Sequence, residues 1–313
     1  VRIMNIVLAT DDNFVQHCSV TMLSILKHNS DVVFYILTEG LSESNVSMLN
    51  NIVAENGGDI YICNVDKEVV KRFPMPADAD AHISVATYYR LLTEFILPQS
   101  VDKYIYMDCD MVVRGNMLEL WNENVENYAI GAVFQSVSLA QEQDKNRLGI
   151  PEKNGYFNAG LLLVNLKYWR ENNISKRLLD FVENSYSRIK QHDQDVLNAV
   201  LYNEVKPISY TWNYLPQFFN KTQLRFKSYV NYSMEVENPI IIHFVSAPKP
   251  WDYGCTHPYK QEYYKYLQMT PFANYRPRFI WRKYYDNILR QKIYHYIILL
   301  DVFNLRKKIF RPN

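Results

Sequence analysis

The feature that most constrains the fold is a regular alternation of strand and helix patterns in the first 65 residues. Apolar, β-rich runs at Ile3–Ala9, Val32–Leu37 and Ile60–Val65 predict strands. Between them, Phe14–His28 and Asn45–Ala54 carry apolar residues at helical spacing. Strands joined by helices pair in parallel through right-handed crossovers. We therefore predict an α/β fold with a mixed, mostly parallel sheet flanked by helices, whose ligands bind beyond the carboxyl ends of the strands.

A fourth apolar run, Tyr104–Met107, ends in two carboxylates, Asp108 and Asp110. Side chains alternate along a strand, so these two aspartates point to the same side. Converging carboxylates repel each other unless a cation lies between them, and divalent ions prefer oxygen ligands. The pattern is consistent with a metal site, and also with two solvated loop aspartates.

A third metal ligand is available where the late strand Pro239–Phe244 gives way to a loop. His243 lies at that boundary, where a lone histidine is more often a core residue. Carboxylate oxygens with an imidazole suit Mn²⁺, with Mg²⁺ as the alternative. The chain has no glycine-rich phosphate loop, so metal and side chains would have to hold phosphate, and Lys249 offers an ammonium group for it.

Two segments near the predicted cleft have open roles. Arg90 belongs to a predicted helix, Ser84–Phe95, and is either a surface charge or a guanidinium directed at an acidic ligand or at Asp108. The polar stretch Ser136–Asn154 has no clear period, which predicts a long loop acting as a lid or substrate-binding segment.

Two further groups of residues have a structural and a functional interpretation. Small Ala159 and Gly160 beside Asn158 would let a ligand approach the backbone, or they simply begin a strand. Asp193 and Gln194 precede a helix, where they either cap its N-terminus or face a hydroxylated substrate.

Composition places the body of the chain among globular proteins. Its 313 residues are 48% hydrophobic, and no apolar run reaches the roughly 18 residues needed to span a bilayer. The N-terminus has no secretion signal pattern. The four cysteines lack zinc-type spacing, which predicts reduced thiols in a cytoplasmic protein. These are Cys18, Cys63, Cys109 and Cys255.

The C-terminal segment differs in charge from the rest. Tyr275–Asn313 carries ten Lys and Arg against two Asp, a net charge of +8, which leaves −7 for the preceding residues. Basic residues alternate there with aromatics and an apolar helical stripe, which favours an anionic membrane over nucleic acid. A tail packed on its own domain is the alternative. We predict a catalytic domain at 1–270 and a membrane-associating region at 271–313, peripheral on the inner face of the cell membrane.

Six ordered blocks resemble the retaining glycosyltransferases of family 8, above all the bacterial lipopolysaccharide galactosyl- and glucosyltransferases. The blocks are Ala9–Phe14, His82–Arg90, Tyr106–Asp110, Tyr156–Gly160, Asp193–Asn198 and His243–Trp251. The resemblance implies a GT-A fold, a UDP-galactose or UDP-glucose donor, a lipid-linked saccharide acceptor, and Mn²⁺ bound by Asp108, Asp110 and His243.

The same resemblance implies roles for individual residues. Gln194 and Asp193 would be catalytic beside the transferred sugar. The implied donor-binding set is Ala9, Thr10, Asp11, Asn13, Arg90, Asp108, Cys109, Asn158, Ala159, Ser246 and Lys249. Two positions depart from the pattern: Gln135 replaces an acceptor-binding aspartate, and Ser246 replaces a glycine near the diphosphate.

Three alternatives remain open on sequence. A phosphatase of the haloacid dehalogenase type also places Asp-x-Asp after an apolar strand, but normally at the start of its domain, whereas about a hundred residues precede Asp108 here. A catalytically silent sugar-nucleotide or membrane-surface binding protein would bind without turnover. A self-glucosylating primer like glycogenin would carry its own acceptor.

Overall fold

A computed structural model describes residues 3–71, 73, 85–135, 139–219 and 236–279, and positions 281, 285, 289, 292 and 293. Its strands are β1 (Met4–Ala9), β2 (Val32–Thr38), β3 (Asp59–Asn64), β4 (Lys103–Met107), β5 (Met111–Val113), β6 (Ile130–Phe134), β7 (Phe157–Asn165), β8 (Val205–Pro207) and β9 (Ile241–His243). Within the described residues a seven-stranded sheet has the order β3-β2-β1-β4-β7-β6-β8, and β5 pairs with β9 in a second, small sheet.

Helices cover both faces of the large sheet. The α-helices are α1 (Val15–Leu26), α2 (Glu43–Asn56), α3 (Lys67–Val70), α4 (Thr93–Ile96), α5 (Leu118–Asn122), α6 (Leu139–Leu148), α7 (Leu166–Glu171), α8 (Ile174–Asn184), α9 (His192–Leu201) and α10 (Lys260–Leu267). Shorter 3₁₀ segments lie at Val85–Leu92, Tyr186–Arg188, Tyr210–Trp212 and Pro216–Phe219.

The predicted mixed, mostly parallel sheet is confirmed. Strands β1, β2, β3 and β4 run parallel, as the strand–helix alternation predicts. Strand β7 is antiparallel to both of its neighbours, β4 and β6, and β8 runs parallel to β6. The reversed strand brings the start of β7 beside the end of β4, where the two aspartates lie.

Alternation along β4 explains how the sheet separates two cores. Ile105 and Met107 pack with α1 and α2 on one face. Tyr104 and Tyr106 pack with the 3₁₀ segment Val85–Leu92 and with α9 on the other. All four side chains are buried. The apolar area removed from water on both faces fixes the end of this strand in place.

Two of the secondary-structure predictions need correction. Ser136–Asn154 is not a loop throughout, because α6 runs from Leu139 to Leu148. The sequence of α6 has no apolar stripe, because charged side chains rather than apolar ones attach this helix to the rest of the protein. Lys145 donates to the carbonyl of Glu152 (2.8 Å), and Arg147 pairs with Asp195 (2.8 Å). The helical part of Ser84–Phe95 is mainly 3₁₀, followed by the single turn α4.

The remaining elements agree with the sequence patterns to within a few residues. The stretch 168–189, whose mixed-charge sequence predicts a helix, divides at Asn173, which adopts a left-handed backbone (φ 51°), into α7 and α8. The four cysteines are free, and three of them are buried. The segment 71–81, whose proline, aspartate and alanine content predicts a loop, lies almost entirely outside the described residues.

The start of the C-terminal segment packs on the body of the protein. Phe272 and Tyr275 contact the core, and the Tyr275 hydroxyl donates to the carbonyl of Trp251 (3.0 Å). The described helical positions beyond it are exposed, including Trp281 (75%) and Tyr285 (70%). In the described part of the chain, every helix is too short or too polar to cross a bilayer.

Candidate active site

The loops after β1 and β4 meet because the two strands are neighbours in the sheet. The Cys109 thiol donates to the carbonyl of Ala9 (3.3 Å), which joins the loops directly. In the first loop, a carboxylate oxygen of Asp11 accepts from the backbone N–H of Asn13 (2.9 Å), and Thr10 is buried. The predicted cleft residues from these two loops therefore lie together.

Asp108, Asp110 and His243 converge in this cleft. One ligand atom from each lies within 4.8 Å of the other two. His243 Nε2 is 3.1 Å from Asp110 Oδ1 and 3.7 Å from Asp108 Oδ2. Pairing between β5 and β9 sets Met111 opposite His243, and the N–H of Phe244 donates to the carbonyl of Asp110 (3.0 Å). This small sheet brings a distant histidine to the two aspartates.

Gly160 makes the convergence sterically possible. Its carbonyl accepts from the N–H of Asp108 (2.8 Å), so the backbones of β7 and β4 are close at this point. A Cβ at Gly160 would lie 2.2 Å from His243 Cε1 and 2.7 Å from Asp108 Oδ2. The side chains of His243 and Asp108, rather than a ligand, occupy the space beside Gly160.

Arg90 is buried between two carboxylates rather than on the surface. Its guanidinium donates to Asp108 (2.7 Å), pairs with Asp193 (3.1 Å) and lies 4.0 Å from the ring centre of Tyr106. Burial alone would lower the pKa of Arg90, but the two carboxylates outweigh burial and raise it. Of the interpretations that the sequence leaves open for Arg90, an ion pair with Asp108 is confirmed.

Lys249 contacts the same group of acids. Its ammonium donates to Asp110 Oδ2 (2.5 Å) and to the carbonyl of Phe244 (2.7 Å). Burial would raise the pKa of Asp110, but the Lys249 ammonium beside it outweighs burial and holds that pKa well below its usual range. In the same loop Ser246 has a φ of 68°, a conformation that favours glycine, which accounts for the glycine expected at this position.

An aromatic cluster fixes the loop that carries Lys249. The Trp251 ring stacks on His17, with ring centres 3.6 Å apart, and His17 Nδ1 hydrogen bonds the hydroxyl of Tyr263 (2.7 Å). Burial lowers the pKa of His17 to about 3, with a smaller opposing effect from Asp110 and a smaller supporting effect from Lys249. His17 is therefore neutral at physiological pH.

The predicted sugar-side residues form a separate hydrogen-bonded group. Gln194 Oε1 accepts from Asn158 Nδ2 (3.1 Å) and from the N–H of Ala159 (3.1 Å). Asp193 is buried, accepts from the Thr87 hydroxyl and faces Arg90. Burial raises the pKa of Asp193 to about 6, against the lowering effect of Arg90 and Thr87.

The sequence analysis did not identify three residues that connect these groups, namely Asn213, Tyr156 and Asp195. Asn213 is fully buried and bonds both Asn158 (2.9 Å) and His243 (3.0 Å). The Tyr156 hydroxyl accepts a hydrogen bond from the Gln194 amide and donates one to the Asp195 carboxylate. The same carboxylate accepts a hydrogen bond from Arg147 of α6. The available signal for Asn213 was a single amide side chain within an aromatic run, Tyr210–Tyr214.

The donor set suits a divalent cation. Asp110 Oδ1 is buried and accepts no hydrogen bond, although a ring nitrogen lies 3.1 Å away. Two carboxylates and an imidazole match the ligands that Mn²⁺ and related ions take in proteins. A cation between these atoms would satisfy the unpaired oxygen and relieve repulsion between the acids.

Comparisons with known proteins show which family the chain resembles. A family model described as glycosyl transferase family 8 matches residues 5–255. General stress protein A of Bacillus subtilis is 29% identical, over 86% of this chain and 94% of that protein. A lipopolysaccharide 1,2-glucosyltransferase of Escherichia coli is 26% identical, over 98% of this chain and 92% of that protein.

A solved structure shows the same architecture. The galactosyltransferase LgtC, in complex with donor and acceptor sugar analogues, superposes with a TM-score of 0.78 and 28% identity, covering 86% of this chain and 96% of that chain. The match disfavours the phosphatase alternative. Because the family model spans most of the chain and the fold agrees, the protein belongs to glycosyltransferase family 8 and has the GT-A fold that the resemblance implied.

Proposed function

We propose that this protein is a retaining hexosyltransferase that moves galactose or glucose from a UDP-sugar to a glycan acceptor, with a divalent cation, foremost Mn²⁺, held by Asp108, Asp110 and His243. The observation that carries the proposal is the convergence of these three side chains against Gly160, beside the two cationic side chains of Arg90 and Lys249. The match to LgtC, solved with donor and acceptor analogues, supports the same reading.

Nucleotide recognition is proposed for the loop after β1. The side of the cleft formed by Ala9, Thr10, Asp11 and Asn13 adjoins Cys109 and the two acids. A uridine bound along this loop would direct its diphosphate toward Lys249 and Ser246. The Lys249 ammonium would then exchange part of its contact with Asp110 for a phosphate oxygen, a charge-assisted bond of comparable strength.

Departure of UDP leaves negative charge on the β-phosphate, and positive groups fixed near it lower the barrier. A bound divalent cation would supply Lewis-acid stabilisation of that charge. Lys249 adds a cation at the same place, because the bond to Asp110 and the stack of Trp251 on His17 hold its loop. Arg90 neutralises Asp108 from the other side of the site.

On the sugar side, we propose a front-face reaction with Gln194 as stabiliser of the positive anomeric centre. Its amide oxygen already accepts two hydrogen bonds, from Asn158 and Ala159, and an amide is a poor nucleophile. Asp193 is buried against Arg90 and Thr87, so we propose that it acts through Arg90 rather than as a free nucleophile. A solved structure of LgtC carries a glutamine-to-glutamate substitution in its active site, which supports a role for an active-site glutamine in this protein.

The acceptor is proposed to be lipopolysaccharide or another lipid-linked saccharide, reached from the cytoplasmic face of the membrane. Relatives named lipopolysaccharide glucosyl- and galactosyltransferases support the class of acceptor. Region 271–313 is proposed as the membrane-associating part. Exposed Trp281, Tyr285, Leu289 and Ile293 recur every four residues, as on one face of a helix, and Arg276 and Arg278 are exposed before them.

Release of UDP from UDP-galactose and UDP-glucose tests the proposal. We expect slow hydrolysis without acceptor that requires Mn²⁺ or Mg²⁺ and stops with EDTA, and we expect Asp110→Ala to lower the rate at least about 100-fold because a ligand is lost. Asp59→Ala, an exposed acid at the start of β3, is the matched control and should retain the rate.

Two outcomes would contradict the proposal. Binding of UDP-sugars without any turnover would favour the silent binding protein, and wild-type turnover in folded Asp110→Ala would remove the metal site from the mechanism. Mass spectrometry of the incubated protein distinguishes the self-glucosylating alternative, because attached hexoses would raise its mass.

A further inference from the structure

His243 presents its two ring nitrogens to different partners. Nε2 faces Asp110 and Asp108, whereas Nδ1 lies 3.0 Å from Asn213 Oδ1. A neutral imidazole carries one proton, on either nitrogen, and only the nitrogen without it can bind a metal ion. Whatever fixes the proton on Nδ1 therefore makes Nε2 a ligand.

The direction of each hydrogen bond in this region is fixed by backbone groups. The N–H of Gly160 donates to Asn158 (3.0 Å), so the atom that receives it is the amide oxygen Oδ1. The N–H of Ala159 donates to Gln194 (3.1 Å), so its receiving atom is likewise the amide oxygen. Asn158 Nδ2 donates to that same oxygen (3.1 Å). Backbone N–H groups cannot reverse their role, so these two amides cannot flip without losing bonds.

The acceptor role of Asn158 determines the direction of the hydrogen bond between Asn213 and His243. Asn158 Oδ1 is an acceptor, so Asn213 must offer its Nδ2 there (2.9 Å). Asn213 Oδ1 then faces His243 Nδ1 as an acceptor, and Nδ1 must carry the proton. Reversing Asn213 would place two acceptors together at Asn158, in a site with no water contact, since Asn213 and His243 are 0% and 3% exposed.

We infer that Asn213 is a positioning residue that holds His243 in the Nδ1–H tautomer, directing the Nε2 lone pair at the metal site through a relay anchored by Asn158 and Gln194. The inference rests on the metal site of the proposed function, but the tautomer itself does not require bound metal.

The backbone holds Asn213 beside β9. The N–H of Tyr214 donates to the carbonyl of Ile241 (2.9 Å), and the N–H of His243 donates to the carbonyl of Tyr214 (3.2 Å). Asn213 thus moves with the strand that carries the histidine. The relay also connects the proposed metal side of the site to the proposed sugar side at Gln194.

Nitrogen-15 NMR of histidine-labelled protein tests the tautomer in the wild type, with the His243 signals assigned from their absence in His243→Gln. We expect Nδ1 to be protonated in the metal-free protein and to remain so with Mg²⁺, which, unlike Mn²⁺, is diamagnetic. A neutral ring with the proton on Nε2 and none on Nδ1 would overturn the inference.

Mn²⁺ titration by calorimetry or EPR tests the consequence. Asn213→Leu removes both hydrogen bonds at similar size, and we expect Mn²⁺ to bind about 10- to 100-fold more weakly, as for other groups that orient a ligand histidine. Asn213→Asp keeps an acceptor toward Nδ1 and should keep the Nδ1–H signal, but its second oxygen would meet the Asn158 acceptor, so we expect only part of the affinity to recover. Wild-type Mn²⁺ affinity in folded Asn213→Leu would overturn the inference.

Asn29→Leu is the matched control for loss of a buried amide. Asn29 is 7% exposed and bonds the backbone of Ile25 and Met117, away from the site. We expect it to lower stability without changing Mn²⁺ affinity. If the wild type binds no Mn²⁺, the metal part of the proposed function fails, while the wild-type imidazole spectrum still decides the role of Asn213.

Discussion

Gly160→Ala is expected to destroy the proposed metal site while leaving the sheet folded. The added Cβ would lie 2.2 Å from His243 Cε1, whereas ordinary contacts begin at 3.4 Å, so the imidazole must retreat by about 1.2 Å. Metal–ligand distances hold to about 0.2 Å. The displacement is several times larger than the site tolerates, and the same Cβ also presses on Asp108 Oδ2 at 2.7 Å.

We expect Mn²⁺ affinity to fall at least about 100-fold, equivalent to about 2.8 kcal/mol of binding free energy. Overpacking should cost about 1–3 kcal/mol of folding stability, which leaves a folded protein to titrate. Calorimetry with Mn²⁺ measures the affinity, and urea unfolding measures the stability.

Gly115→Ala is the matched control for replacing a glycine. Its Cβ would meet Ile240 at 3.5 Å and 3.7 Å, which is ordinary contact, and we expect unchanged Mn²⁺ affinity. Wild-type affinity in Gly160→Ala would refute the steric argument, because the histidine could then retreat without leaving the ion.

Two further predictions concern acid stability and membrane binding. The pKa of His17 falls from its ordinary 6.5 to about 3 on folding, so the unfolded state binds the proton more tightly. The contribution of His17 to stability should be full above pH 6.5 and should fall by about 1.4 kcal/mol per pH unit from there to about pH 3. Urea unfolding of His17→Gln should lack this contribution to the slope, and a slope equal to that of the wild type would contradict the assignment. Trp281→Ser and Leu289→Ser should each weaken binding to anionic phosphatidylglycerol vesicles about tenfold or more, since each removes about 1.5 kcal/mol or more of apolar burial. Phe95→Ser, at a side chain 62% exposed elsewhere, is the control, and equal loss there would argue against the tail.

The sequence predicted the parts of the fold that depend on local patterns. Period-2 and period-3.6 apolar patterns identify β1 to β4 and α1 to α2, because burial of one face selects residues at those spacings. Asp108 and Asp110 were found for the same reason, since they follow a strand whose end defines a cleft. His243 has two interpretations on sequence, a core residue or a metal ligand, and only the pair of aspartates favours the second.

The rest depends on contacts between residues far apart in the chain. Helix α6 has no apolar stripe to detect, because Lys145 and Arg147 hold it through charged contacts with other segments. The reversal of β7 follows from its pairing with β4 and β6, which no local period encodes. Asn213 acquires its role only when the chain after Tyr210 lies beside β9.

Charge balance links the proposed metal to the proposed donor. The three carboxylates of Asp108, Asp110 and Asp193 face the two cations of Arg90 and Lys249. Without metal the group is therefore net negative, and a diphosphate would be repelled. A divalent cation reverses the sign of the group, so the same residues that repel the donor alone would attract it together with the ion. Binding of metal and of sugar nucleotide is thus expected to be mutually reinforcing, and the two cations offset the repulsion among the three carboxylates.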